Sequence, residues 1–144
     1  MLDCDAWDGY PSHKADLMSF VKAQSITNLV AITGDLHAFQ AGIVRDVRNP
    51  ATGTPVMTDL MSTGIASRSS MTIRSSGRTT PTCFTRTATA STASVKVTPT
   101  RFVTVFNKVK LLNPDGTAPQ SPLAKRTRLT INSGTVAVLV EDNV

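Results

Sequence analysis

An α+β fold, with a helix and a buried strand followed by mostly antiparallel strands, is predicted by three observations on the sequence. An amphipathic stretch at residues 12–24 precedes a short continuous apolar run, Leu29 to Ile32. That run stops abruptly at Thr33-Gly34. The last third of the chain alternates β-branched or aromatic residues with polar ones around strong turn signals, the grammar of an antiparallel sheet.

The helix comes first. In SHKADLMSFVKAQ, Leu17, Met18 and Val21 fall at i, i+1 and i+4 with Lys14, Asp16 and Lys22 between them, and Ser12 after Pro11 is placed to cap it. Leu29 to Ile32, bounded by polar residues and Gly34, reads as a strand buried on both faces. Gln40 to Val47 forms a second strand, and NPATGTP (49–55) is a turn-rich connection to a third at Val56-Met57-Thr58. That connection has too few glycines and no Lys-Ser/Thr ending, which excludes a phosphate-binding P-loop. Residues 94–112 supply further strands, NPDG (113–116) turns the chain, and RLTINSGTVAVLV adds two short strands.

At 144 residues with 40% apolar content, the chain suits one domain with a real core. Its formal charge of +5 and pI of about 9.7 raise the question of a nucleic-acid partner. Only 17% of residues are charged and no dense Lys/Arg run occurs, so the basicity reflects a shortage of acids and argues against nucleic acid. Seven of the ten acidic residues lie at or before Asp59, and none lies between Asp59 and Asp115. Cys4 and Cys83 lack the spacing of a zinc knuckle or a disulfide framework. No segment approaches the ~20 apolar residues of a membrane span, and Asp3, Asp5 and Asp8 stand where a signal peptide would be basic.

From Ala66 to Thr92, 14 of 27 residues are Ser or Thr and four are Arg, too little apolar surface to repay the entropy of ordering. Two readings stand. The stretch is a flexible loop of unusual length, or it is translated one base out of register and returns to frame near Ser94. In the second case Cys83 and the four arginines carry no function.

NLVAITGDLHAF (28–39) holds the most chemistry. A strand that ends in a Gly-containing turn exposes its next side chains at the carboxyl edge of a sheet, where α/β proteins place ligands. Asp35 and His37 follow there. A carboxylate suits a hard cation and a neutral imidazole suits iron or zinc, so Gly-Asp-x-His can touch both ions of a mixed binuclear site. The alternative is that Asp35 caps a turn and His37 is a half-buried polar residue.

DAWDGYP (5–11), then a helix, then NLVAITGDLHAF, then GIVRD and NPATGTPVMTDLMSTGIAS closely resembles the end of the catalytic domain of the PhoD-type alkaline phosphatases, members of the calcineurin-like metallophosphoesterases. VKVTPTRFVTVFNKV (95–109) is similar to that family's closing strands. The resemblance implies the C-terminal portion of an αββα sandwich: residues 1–65 in the catalytic domain, 66–93 the Ser/Thr/Arg-rich segment, and 94–144 the closing strands. It implies hydrolysis of phosphate mono- and diesters by calcium and ferric iron, the two cations polarising phosphoryl oxygens and lowering the pKa of an attacking hydroxide. It also implies an exported location.

By the same resemblance Gly34-Asp35-Leu36-His37 matches the block that reads Gly-His-x-His in related enzymes, with Asp35 in place of the first histidine. Asp35 and His37 are the expected catalytic and metal-binding residues. Trp7, Asp8 and Tyr10 are expected beside the substrate; the alternative is that Trp7 and Tyr10 are packing and Asp8-Gly9 a turn. His13, beside Lys14 at the helix start, reads as a surface residue.

A binuclear centre draws about six to eight ligands from several strand ends. This chain has two histidines, no Gly-Asp-x-x-Asp and no Gly-Asn-His. It is therefore expected to be an incomplete piece, inactive until joined by the missing N-terminal part of the same domain. The competing expectation, from a different class, is a non-catalytic β-rich module that binds an anionic surface or nucleic acid through the basic Ser/Thr/Arg-rich loop.

Overall fold

The computed structural model describes residues 9–34, 39–47, 51–64, 83–85, 91–110 and 112–144, with 83–85 and 91 as backbone only. Helix α1 spans Pro11–Ala23. Strands β1 (Val30–Thr33), β2 (Phe39–Arg45), β3 (Pro55–Met61) and β4 (Cys83–Thr85) form one sheet in the order β1-β3-β2-β4. Strands β5 (Ser91–Val97), β6 (Arg101–Val109), β7 (Leu123–Asn132) and β8 (Leu139–Asp142) form a second sheet in simple chain order. Among the described residues only β1 and β3 pair in parallel, and every other pairing is antiparallel. The class is α+β, as the sequence predicts.

Pro11 starts α1 because its preset φ suits the first helical position and its missing N–H is not needed there. The cap expected at Ser12 is thereby corrected. Ser12 lies inside the first turn, and Tyr10 is the N-cap residue, without a side-chain cap. Met18 and Val21 bury against Val56, with Leu29, Val44 and Met57 packed around them, while Leu17 on the flank stays 43% exposed. Lys22 in the last turn complements the helix dipole and pairs with Asp46 at 2.6 Å.

Asn28 leads into β1 with a positive φ of 61°, a conformation that Asn tolerates better than most residues. Its Oδ1 accepts the Gly134 N–H at 2.6 Å, tying the α1–β1 connection to the β7–β8 turn of the other sheet.

The two sheets face each other across a core of Phe39, Ala41, Leu60, Phe106, Leu129 and Ile131, every one at most 4% exposed. Period-two alternation places these residues on the inner faces: Leu60 alternates with Met57, Asp59 and Met61, and Phe106 with Val105 and Asn107. Phe102 packs near Val30, at the start of β1, and Phe106 stacks on Phe39, at the start of β2. Strand β6 thus runs from the amino end of β1 towards its carboxyl end.

One detail of the predicted architecture differs. β1 was expected to be buried on both faces, but it lies at the edge of its sheet, its residues half-buried, and Ile32 is 62% exposed. The reason is geometric: side chains leave a strand through its faces, and among the described residues no layer is packed over the face of β1 at Ile32, while β1 also has a strand partner on one side only. The NPDG turn is present as expected, with Gly116 donating to the Asn113 carbonyl and adopting φ 84°, which glycine reaches without steric cost.

Within residues 66–92, the described parts are β4, which pairs with the beginning of β2, and the start of β5. The remainder of that segment lies outside the described residues.

Candidate functional site at the carboxyl edge of β1 and β3

Because β1 and β3 are parallel, Thr33 and Met61 end side by side, and both strands present their carboxyl ends at one edge. The pairing runs one residue further, the Ser62 N–H donating to the Thr33 carbonyl at 2.9 Å. Gly34 follows. A Cβ placed on it would meet only the Ser62 carbonyl, at an ordinary 4.0 Å, so the strand does not itself require glycine here. Antiparallel β2 begins at the same edge with Phe39, fully buried.

Asp35 and His37, the expected catalytic and metal-binding pair, lie outside the described residues, as do Trp7 and Asp8. The structure brings their described neighbours together: Gly34 at the end of β1 and Phe39 at the start of β2 belong to one sheet edge, the kind of edge where ligands bind in α/β folds. Tyr10 is described and 56% exposed, at the start of α1, with its ring edge-on to His13 at 6.5 Å. His13 is exposed, as read from the sequence.

Two polar residues that the motif reading passed over also occupy this edge. The Thr33 hydroxyl donates to Asp59 Oδ1 at 2.8 Å, across the parallel pair and partly buried. The alternation of β3 puts Asp59 on the face opposite Leu60, a signal present in the sequence but meaningful only once the strand is known. Thr63 is 7% exposed, and its hydroxyl has no hydrogen-bond partner among the described residues.

The resemblance implies calcium and ferric iron. Among the described residues no group of three or more His, Cys, Asp or Glu comes together to hold a metal. The described edge offers one carboxylate, Asp59, already holding a hydroxyl, so the described residues alone do not fit a two-metal centre. A cavity of about 310 Å³ lies at the opposite end of the sandwich, near Leu29, Val30, Phe102 and Ile131, away from the strand ends.

Elsewhere, carboxylates are held by local partners. Asp46 titrates below its ordinary value because the Lys22 ammonium bonds its side chain and the Thr54 N–H adds a second bond. Asp142 is lowered in the same way, by Lys125 and then by the Thr127 hydroxyl.

The described residues form an α+β arrangement of two sheets in which Gly34 follows the end of β1, beside the end of β3. The chain belongs to the PhoD-like phosphatase family, whose model matches residues 1–108. Over 34 residues it is 44% identical to alkaline phosphatase D of Bacillus subtilis strain 168. That stretch is 24% of this chain and 6% of the relative, so the chain spans a small part of the protein it matches. No solved structure matches. Among the described residues no helix is long and apolar enough to cross a membrane.

Proposed function

We propose that this chain supplies one strand-end block of a metal-dependent phosphoesterase acting on phosphate mono- and diesters. Asp35 and His37 serve as ligands to calcium and ferric iron, and the remaining donors come from residues of the same domain that this chain lacks. The observation that carries the reading is the parallel β1–β3 edge, where Gly34 ends the strand next to Thr33 and Asp59, in a chain of the PhoD-like family. Calcium and iron would supply positive charge to the phosphoryl group; this chain's part is to hold oxygen and nitrogen donors at a fixed edge.

Trp7, Asp8 and Tyr10 belong to the same proposal as residues beside the substrate, and so does an exported location. Among the described residues β1 has a strand partner on one side only, which supports an incomplete domain, because native sheet edges are commonly covered or blunted.

The test uses the purified chain alone and the chain expressed with the coding region that precedes it in its gene. Metal content by elemental analysis and hydrolysis of p-nitrophenyl phosphate and bis-p-nitrophenyl phosphate are read on both. Metals and turnover only in the longer protein, both lost in Asp35→Ala and His37→Ala, are the expected result. A longer protein that keeps metals and turnover after both substitutions would overturn the assignment.

A further inference from the structure

Among the described residues β1 and β5 are edge strands of their sheets, and they meet at one side of the sandwich. The amino end of β1 and the carboxyl end of β5 line one cavity of about 310 Å³, walled by Leu29 and Val30 from the first sheet and by Val97, Phe102 and Ile131 from the second. The inner faces that continue from it are apolar and open. Val30 packs on the core, and Ile32, two residues on, shares its face yet is exposed. Val95 and Val97 pair with Thr104 and Phe102, so they share the inner face of β6, and both are exposed. One exposed apolar residue needs no explanation, but three on facing inner surfaces mark a place where the core stops before its walls do.

The backbone of β1 is open on the same side. The Leu29 and Thr33 carbonyls accept from the Thr58 and Ser62 N–H groups, and in this parallel register Ala31 and Thr33 turn their amides to β3. Val30 and Ile32 therefore point their N–H and C=O groups away from β3, to an edge with no strand on it among the described residues. Native sheet edges are commonly guarded by charge, proline or a bulge. Val30-Ala31-Ile32-Thr33 has no charge and no proline, and its register to β3 runs without a shift. Such an edge is suited to receiving a strand.

We infer that the side of the sandwich between β1 and β5 is a docking groove for the preceding part of the same domain, one strand of which adds to β1 while its apolar side chains cover Ile32, Val95 and Val97. The occupant follows from the size of what lies outside the structure. The 34 residues shared with alkaline phosphatase D are 24% of this chain but 6% of that relative, so the relative is several times longer and has ample chain to supply a strand. A strand added parallel to β1 ends beside Gly34, which brings its terminal side chains to the candidate edge. That the occupant belongs to the same domain rests on the proposed function, which makes this chain one block of a longer enzyme; that the groove is open does not.

The test is residue-resolved hydrogen exchange, read by mass spectrometry on the purified chain and on the longer protein expressed from its gene. In the chain alone the Val30 and Ile32 amides should exchange faster than those of Ala31 and Thr33, and in the longer protein they should slow by at least about a hundredfold. Ile32→Lys and Val97→Lys should leave the melting temperature of the chain alone within about 3 °C, because both side chains already face solvent, and should remove the added protection in the longer protein. Val30 and Ile32 as slow as Ala31 and Thr33 in the chain alone would show the edge closed by the chain's own residues or, if sedimentation finds a dimer, by a second copy; either result overturns the groove. So does a longer protein in which Val30 and Ile32 exchange as fast as in the chain alone. Should the lysine variants of the longer protein fail to fold, exchange in the unsubstituted longer protein decides. Asp35→Ala and His37→Ala keep the two proposals apart. Turnover that survives them in a longer protein with a protected β1 defeats the metal assignment and leaves the groove standing, while an unprotected β1 in a longer protein that loses its metals on these substitutions removes the groove alone.

Discussion

Phe39 and Phe106 stack with their ring centroids 4.2 Å apart and their planes 19° from parallel, joining the two sheets at the edge where β1 ends and β2 begins. The contact brings a closing strand of one sheet to the strand-end segment of the other. It is therefore both a core contact and the link that sets the second sheet over the candidate site.

Truncating Phe106 to alanine should cost roughly 3–5 kcal/mol, since both rings are buried and a cavity between sheets cannot collapse without moving a strand. Urea denaturation of the chain measures it. Phe39→Ala should cost a similar amount, and the double variant less than the sum, because each single change already removes the stack.

The Thr33–Asp59 bond joins the two parallel strands at their carboxyl ends. Thr33→Val keeps the strand's shape and removes the donor, and it should lower stability by about 1–2 kcal/mol because Asp59 stays partly buried. Thr33→Ser should recover most of the loss. Thermal melts of the three chains provide the comparison, and a Thr33→Val chain as stable as the parent would show that the bond contributes nothing.

Gly34→Ala should leave the fold intact, with a stability change within about 1 kcal/mol, because the added Cβ finds only ordinary contact and Gly34 is not in the left-handed region. A larger loss in a melt would show that the residues after Gly34 need the space. In the longer protein, loss of turnover with an unchanged melt would place the methyl group against the substrate.

The lowered carboxyls of Asp46 and Asp142 set an acid dependence. A group whose folded pKa lies below its unfolded value stabilises the fold above the unfolded value, here the ordinary 3.8, and that stability is lost as pH falls through the folded pKa. Stability should therefore be flat above about pH 5 from this source and decline below about pH 4. Asp142→Asn should flatten part of the decline. The Asp142 side chain is 46% exposed, so added salt should shrink its share, while Asp46, at 13%, should be screened less. Denaturant midpoints between pH 3 and 7 at two salt concentrations measure it.

Metal ligation gives the sharpest outcome. Asp35→Ala or His37→Ala in the longer protein should lower metal occupancy at limiting metal by at least about 10–100-fold, the range already seen when residues that merely support ligands are removed. Elemental analysis after dialysis reads this independently of turnover.

Much of the fold was legible because it rests on local periodicity. Met18 and Val21 fall on one side of a 3.6-residue repeat, and both are buried in α1. The alternation of residues 94–112 and 128–140 became the strands of the second sheet, and Asn113 to Gly116 became a turn for the local reasons expected. The errors were of another kind. Ser12 looked like a cap because its side chain suits one, but Pro11 had already fixed the first helical position. Leu29 to Ile32 looked doubly buried because the run is wholly apolar, but burial depends on what packs over each face of a strand, and among the described residues the face of β1 is left uncovered at Ile32.

The site divides in the same way. Gly34, Asp35 and His37 stand out because their chemistry and spacing are adjacent in the chain. The pair Thr33 and Asp59 does not stand out: the two lie 26 positions apart, and only the parallel β1–β3 register brings the hydroxyl to the carboxylate.

By itself the sequence determined the class of fold, most strand and turn positions, the strand-end motif and the family, because these depend on residues a few positions apart. Tertiary structure alone decided that β1 is an edge among the described residues, that Thr33 meets Asp59, and that Phe106 of the closing strands stacks on Phe39. Those relations join residues tens of positions apart, and strand pairing within a sheet and packing between the two sheets bring them together.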